Sequence, residues 1–213
     1  MIYRFCKMIV LIELQYLPNT LYFSILANAD KIIIERNENF VKQTYRNRTH
    51  ILTPNGVDSL SIPLIGSQKK IKIDEIEIDH NQKWANRHWR AIKSAYGKAP
   101  FFEYYADYIE TEIYRNHKTL FDLNLSLLTL CLKFLQIDTP IIFTSTYQKS
   151  PDLPIIDLRS TIHPKKPFTS SISHVYIAYQ QVFGNSFAEG LSILDLLFSE
   201  GPNAGSIIRK QIN

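Results

Sequence analysis

A chain of 213 residues with 45% hydrophobic and 21% charged side chains can build a sizeable core, and this balance excludes disordered and fibrous classes. A formal net charge of +4 is too small to demand nucleic acid, yet it leaves room for an anionic ligand. The two cysteines, Cys6 and Cys131, show no metal-type or redox-type spacing, so neither a disulfide framework nor a thiol site is expected.

The first predicted element is a buried strand over residues 8–14, an apolar run rich in β-branched residues. Its apolar part ends at Glu13, too soon for a signal core. No later stretch reaches membrane-spanning length, so the expected compartment is the cytoplasm, without membrane insertion. Pro18 breaks the chain, and Asn19 or Thr20 can cap a helix running to Ala29, with Leu21, Ile25 and Leu26 at helical spacing. A second strand over 31–35 completes a β-α-β unit, which implies parallel pairing.

Beyond the polar stretch 36–50, β-like runs flank Pro54-Asn55-Gly56 and predict a hairpin over 49–62, closed by Pro63. Residues 71–78 are expected to be extended, with a break near Asp74-Glu75. Helices are predicted over 81–96 with Gly97 at the C′ position, over about 100–117, and over about 120–135 with the stripe Leu123, Leu127, Leu130 and Phe134. A strand at 140–145 should return to the same sheet. Residues 148–173 carry four prolines and form a long loop of the functional or mobile kind, and short helices are predicted at 173–183 and 192–198. The fold class is therefore α/β: a Rossmann-like, mostly parallel central sheet with a β-hairpin insertion and a helical middle section, in one domain over 1–213.

Several blocks of this sequence resemble the WbqC-like protein family. Gln15-Tyr16-Leu17-Pro18 with Tyr22-Phe23 and Ala29-Asp30 resembles the family's opening. Glu38 through Arg48, Asn55-Gly56 and Leu60-Ser61-Ile62-Pro63 follow in order. Trp84, His88-Trp89-Arg90 and Ser94 through Tyr105 form the middle blocks. His163-Pro164-Lys165-Lys166, Leu191 through Phe198 and Glu200-Gly201-Pro202 form the last. The resemblance implies a place in O-antigen-type surface-glycan synthesis and leaves the chemistry open. Wider members often carry an Asp-Asp pair after the second strand, where this chain has Glu35-Arg36-Asn37-Glu38.

Ligands of open parallel sheets bind outside the carboxyl ends of the strands. The residues just after the second strand are therefore the first site candidates: Lys42, Arg46, Asn47 and Arg48. The arginines could clamp a phosphate or carboxylate, and Asn47 could read a hydroxyl or carbonyl. If this segment is extended, Arg46 and Arg48 share a face. Glu38 is the carboxylate best placed for catalysis, and a solvated or salt-bridged surface is the plainer reading of the whole segment. His88 is a candidate general acid or base, with Trp84 at i−4 and with Arg87 and Arg90 beside it; a core helix with solvated arginines is the alternative. His163 and Lys165, with Arg159 nearby, could close over an anion. Asp195, on an apolar helix, is expected to pair with one of these arginines.

No phosphate loop, nucleophile elbow or zinc helix is present, and the six histidines are scattered, so no metal site is expected. The sequence specifies neither a cofactor nor an oligomeric state. The partner it suggests is a small anionic molecule rather than nucleic acid. The leading functional reading is an enzyme acting on an activated sugar, through acyl or aminoacyl transfer. The alternatives are a non-catalytic partner of a glycan-assembly complex and a nucleotide-binding or nucleotidyl-transfer protein. Convergence of Arg46, Arg48, His88 and Lys165 on one pocket would favour the enzyme.

Overall fold

In the computed structural model, residues 8–66 and 70–212 are described; Cys6 lies outside them. Four parallel strands form the central sheet. They are β1 (Ile9–Glu13), β2 (Lys31–Glu35), β5 (Ile141–Phe143) and β6 (Ile155–Asp157), in the spatial order β5-β2-β1-β6. β1 is central, and Val10, Leu11 and Ile12 are all buried, as a strand covered on both faces requires. α1 (Thr20–Asn28) links β1 to β2. Its cap is Asn19, whose side chain accepts from the Tyr22 backbone N–H.

β3 (Arg48–Thr53) and β4 (Gly56–Ser61) form the expected antiparallel hairpin. Gly56 follows the turn at φ 102°, a conformation that costs glycine little. Residues 71–78 make isolated bridges with Asn39, Leu64 and Thr119, interrupted by a turn where the alternation breaks. α2 (Trp84–Tyr96), α3 (Phe102–Tyr114) and α4 (Leu120–Phe134) follow the predicted helices closely. Thr119 caps α4 by accepting from the Asp122 N–H. α5 (Ile193–Glu200) and α6 (Ala204–Arg209) close the described chain, and both pack against α1.

Two expectations fail. Residues 173–183 contain no helix; their exposure alternates through 172–176, the period of an extended chain, and the Val175 N–H bonds the Gln211 carbonyl. The β-branched and aromatic residues there are weak helix formers. The loop 148–173 contains β6, a three-residue strand too short to stand out between prolines. Asp195 is also corrected. It is fully buried and accepts from the Tyr179 hydroxyl at 2.7 Å and Gln181 Nε2 at 2.9 Å, with no arginine partner among the described residues. Burial pushes its carboxyl above the ordinary aspartate range.

The turn after α5 depends on Gly201. It sits at φ 54°, and a Cβ there would lie 2.4 Å from the Phe101 ring. Gly201→Ala is expected to destabilise the fold by about 1–3 kcal/mol through the clash and the backbone strain. Urea unfolding should also show that adding Phe101→Ala recovers the steric part only.

Candidate functional site

The register of the sheet builds the site. β1 and β2 pair in step, so Glu13 stands beside Glu35 at the carboxyl edge. β6 pairs on the other side of β1 with Leu11 opposite Asp157. Three strands thus end in the same pattern, an apolar run closed by a carboxylate: Ile12-Glu13, Ile34-Glu35 and Ile156-Asp157. Ions packed this closely repel one another unless cations stand between them.

Two arginines do so. Arg46 is fully buried and forks onto Glu38, with Nε at 2.6 Å from Oε1 and Nη2 at 2.7 Å from Oε2. Its Nη2 also donates to Ser160 Oγ at 3.1 Å, and its Nη1 lies 3.8 Å from Glu13 Oε1. Arg159 grips Asp157 through Nε and Nη2, at 2.9 and 2.6 Å, and reaches Glu35 with Nη1 at 2.8 Å. Neutral donors complete the set. Gln15 Nε2 and the Ser160 N–H donate to Glu13, and the Asn37 N–H and Thr144 hydroxyl donate to Glu35. Ser160 takes φ 59° to make this contact, an uncommon conformation for a residue with a Cβ.

Above this network lies an open cleft of about 560 Å³. Asn37, Glu38, Asp157, Arg159 and Ser160 form its carboxyl-edge wall, and Asn39, Val41, Lys72, Tyr147 and Lys149 complete it. The Arg159 guanidinium stacks over the Tyr147 ring at 4.9 Å. Among the described residues, neither Lys72 nor Lys149 has an ion-pair partner. Glu38 is 7% exposed, and burial raises its carboxyl above the ordinary range, aided by Glu13 and Glu35 and opposed by Arg46. No group of three His, Cys, Asp or Glu side chains among the described residues could hold a metal ion.

The other site candidates fall in different places. Arg46 and Arg48 do not share a face. Tyr45–Asn47 is a 3-10 turn that carries Arg46 into the interior, while Arg48 opens β3 and bonds Ser61 Oγ. Asn47 donates to the Ile62 carbonyl and so ties the hairpin down. Lys42 and Arg90 are exposed. His163 accepts the Lys165 N–H at Nδ1, and Lys165 Nζ donates to Gln43. Burial and the two neighbouring lysines hold the His163 ring below the ordinary histidine range.

His88 is fully buried, bonded at 3.0 Å to the Tyr16 hydroxyl and at 3.2 Å to the Ser61 carbonyl, apart from the residues that line the cleft. The four residues expected to converge therefore do not gather at this cleft: Arg48 and His88 come together at Ser61 instead, and Lys165 bonds Gln43. Arg46 alone reaches the cleft, through Glu38 and Ser160. Sequence reasoning passed over Tyr147, Lys149 and the grip of Arg159, because each depends on seeing β6, and over Lys72, which reaches the cleft through its bridge to Asn39. The thrice-repeated apolar run ending in a carboxylate was the available signal.

Two measurements follow from this geometry. Arg46→Met removes the cation and leaves Glu38 and Glu13 buried without it, so a loss of about 3–5 kcal/mol is expected in urea unfolding. A further Glu38→Leu change should restore much of that loss. Burial holds the His88 pKa down, at about 4 against 6.5 for the free side chain. Between those values the unfolded chain binds the proton and the folded chain does not. The His88 contribution is thus present above pH 6.5 and lost as the pH falls toward 4, about 3 kcal/mol in all. The stability penalty of His88→Phe should accordingly shrink on acidification over that window.

Comparison with known proteins adds a lineage. Residues 15–173 match the WbqC-like protein family. The chain is similar to the uncharacterized protein Rv1507c of Mycobacterium tuberculosis (strain ATCC 25618 / H37Rv), with 28% identity over 229 residues, 95% of this chain and 98% of that one. No solved structure matches. The chain belongs to the WbqC-like protein family.

Proposed function

We propose that this WbqC-like protein is an enzyme of surface-polysaccharide biosynthesis of the O-antigen type. Its substrate is a small anionic molecule such as an activated sugar, held at the carboxyl edge of a Rossmann-like sheet in the cytoplasm. Its reaction is acyl or aminoacyl transfer. The observation that carries this reading is Glu38: a buried carboxylate with a raised pKa, oriented by an arginine fork, on the wall of an open cleft with two lysines that have no ion-pair partner among the described residues. A carboxylate of perturbed pKa in a cleft is a candidate general base for proton-transfer chemistry.

In this scheme Lys72 and Lys149 attract the anionic part of the substrate. Glu38 takes the proton from an acceptor amine or hydroxyl as that atom's lone pair forms the new bond to the carbonyl carbon of an activated donor, such as a thioester. The tetrahedral adduct then collapses. The bond to the leaving group breaks, the leaving group departs with that electron pair, and Glu38 returns the proton to it. Arg46 is a positioning residue: it fixes the Glu38 carboxylate while each oxygen keeps a second lone pair.

A non-catalytic role in a glycan-assembly complex is favoured by two facts: both Glu38 oxygens are already held by Arg46, and Arg46, Arg48, His88 and Lys165 do not gather on the lining of the cleft. Thermal-shift titration with nucleotide sugars and acyl thioesters, followed by mass spectrometry of the mixtures, separates the two. The enzyme reading expects a rise in melting temperature with at least one sugar, diminished in Lys72→Ala/Lys149→Ala. It also expects product formation that falls at least about 100-fold in Glu38→Gln while sugar binding persists. Flat curves across the panel would sink it.

A further inference from the structure

The cleft is electrically lopsided, and its asymmetry selects a ligand. On the carboxyl-edge wall and directly beneath it, four carboxylates (Glu13, Glu35, Glu38, Asp157) face two guanidiniums (Arg46, Arg159), an excess of two acidic groups. Neutral donors satisfy part of that excess at Glu13 and Glu35. Glu38 and Asp157 are the two of the four that line the cleft itself. At the mouth the sign reverses, because Lys72 and Lys149 are exposed and without ion partners among the described residues. Tyr147 also lines the cleft, 53% exposed, with Arg159 of the acidic wall stacked on its ring and Val41 elsewhere on the lining.

A ligand complementary to this arrangement is itself dipolar. Its inner end carries positive charge to answer the excess of carboxylates, its middle offers an apolar face to an aromatic ring, and its outer end is anionic. A simple sugar phosphate meets the last two demands. Only one bearing a free amine meets all three, since a hydroxyl brings no charge to the acidic wall. An aliphatic amino acid has both charges but no ring face for Tyr147, and an aromatic one carries both charges on the same carbon, so they cannot lie at opposite ends of its ring.

We propose that the cleft is a binding site for a phosphorylated amino sugar, with its amine toward Glu38 and Asp157, its ring on Tyr147 and its phosphate at Lys72 and Lys149. This rests on the enzyme reading above and names its acceptor, which is bound as the ammonium and gives one proton to water before its freed lone pair attacks. A sugar 1-phosphate and a nucleotide-linked sugar share the chemistry, and the length of the phosphate bridge distinguishes them.

The test is isothermal titration calorimetry on the full chain at neutral pH with four probes: glucosamine 1-phosphate, glucose 1-phosphate, UDP-glucosamine and UDP-glucose. The expected result is at least tenfold tighter binding of an amine-bearing probe than of its hydroxyl counterpart. That preference should disappear in Glu38→Gln, and Tyr147→Ala should weaken amine and hydroxyl probes alike. Lys72→Ala/Lys149→Ala, exposed positions that leave the core untouched, should weaken all bound probes about tenfold. The wild-type comparison of amine with hydroxyl needs no variant to fold. If the sugars bind but amine and hydroxyl probes bind equally, the amino-sugar assignment is overturned while an anion-binding cleft stands; if the lysine changes have no effect, the phosphate is not held at Lys72 and Lys149 and the whole placement is overturned. If no phosphorylated sugar binds at all, the assignment and the enzyme reading fall together. The better binder of the 1-phosphate and nucleotide probes identifies the physiological form.

Discussion

Three neighbouring parallel strands that each end in a carboxylate cannot lie side by side unless cations come between them. Arg46 and Arg159 meet that need, and much of the surrounding backbone is arranged around them. The 3-10 turn at Tyr45–Asn47 aims Arg46 inward, and Asn124 on α4 donates to the Arg46 carbonyl from the other side. Ser160 takes a left-handed conformation so that its N–H reaches Glu13 while its hydroxyl receives Arg46. Arg159 leaves the end of β6 and folds back across Asp157 to Glu35, two strands away. One ion network therefore links β1, β2, β6 and the segment that enters the hairpin.

Such a network is a poor way to gain stability. Desolvating four carboxylates and two guanidiniums costs about as much as their attraction returns, and apolar side chains of equal volume often do as well. Its persistence at the carboxyl edge, where parallel sheets bind ligands, fits a role in chemistry better than a role in holding the fold. Asp195 offers a contrast within the same chain. It too is a buried carboxylate with a raised pKa, but its partners are Tyr179 and Gln181, and it lines none of the clefts described. Burial alone does not make a site; a buried charge beside an opening does.

What was legible in the sequence follows the strength of its periodic signals. The β1-α1-β2 opening, the Pro54-Asn55-Gly56 hairpin and the three central helices all announced themselves through apolar spacing, caps and turn residues. β6 did not, because three residues between prolines carry too little pattern to outweigh a loop. The site was lost with it: Arg159, Asp157 and Ser160 enter the cleft from β6 and the residues after it, and Tyr147 and Lys149 from the segment just before. Glu38 was visible from its place after the second strand. Arg46 was visible as a charge, but not as a buried one, since nothing local says that a Tyr-Arg-Asn-Arg segment will turn at its centre. His88 misled for a related reason. A histidine four residues after a tryptophan on a helix looks the same from sequence whether it faces substrate or a tyrosine hydroxyl in the core.

The spacing of the two glutamates after β2 explains how one short segment serves two arginines. Adjacent residues at the end of a strand point to opposite faces, so neighbouring acids would divide above and below the sheet. Glu35 and Glu38 are instead separated by a turn. Glu35 stays in register with Glu13 and takes Arg159, while Glu38 comes round to meet Arg46 at the wall of the cleft. Shortening Glu38 would open a gap of about one methylene, ~1.5 Å, in a fork whose contacts are now 2.6 and 2.7 Å, enough to break a bidentate hydrogen bond, and shortening Glu35 would do the same to its single 2.8 Å contact with Arg159. Side-chain length at these two positions is therefore fixed by the reach to the guanidiniums.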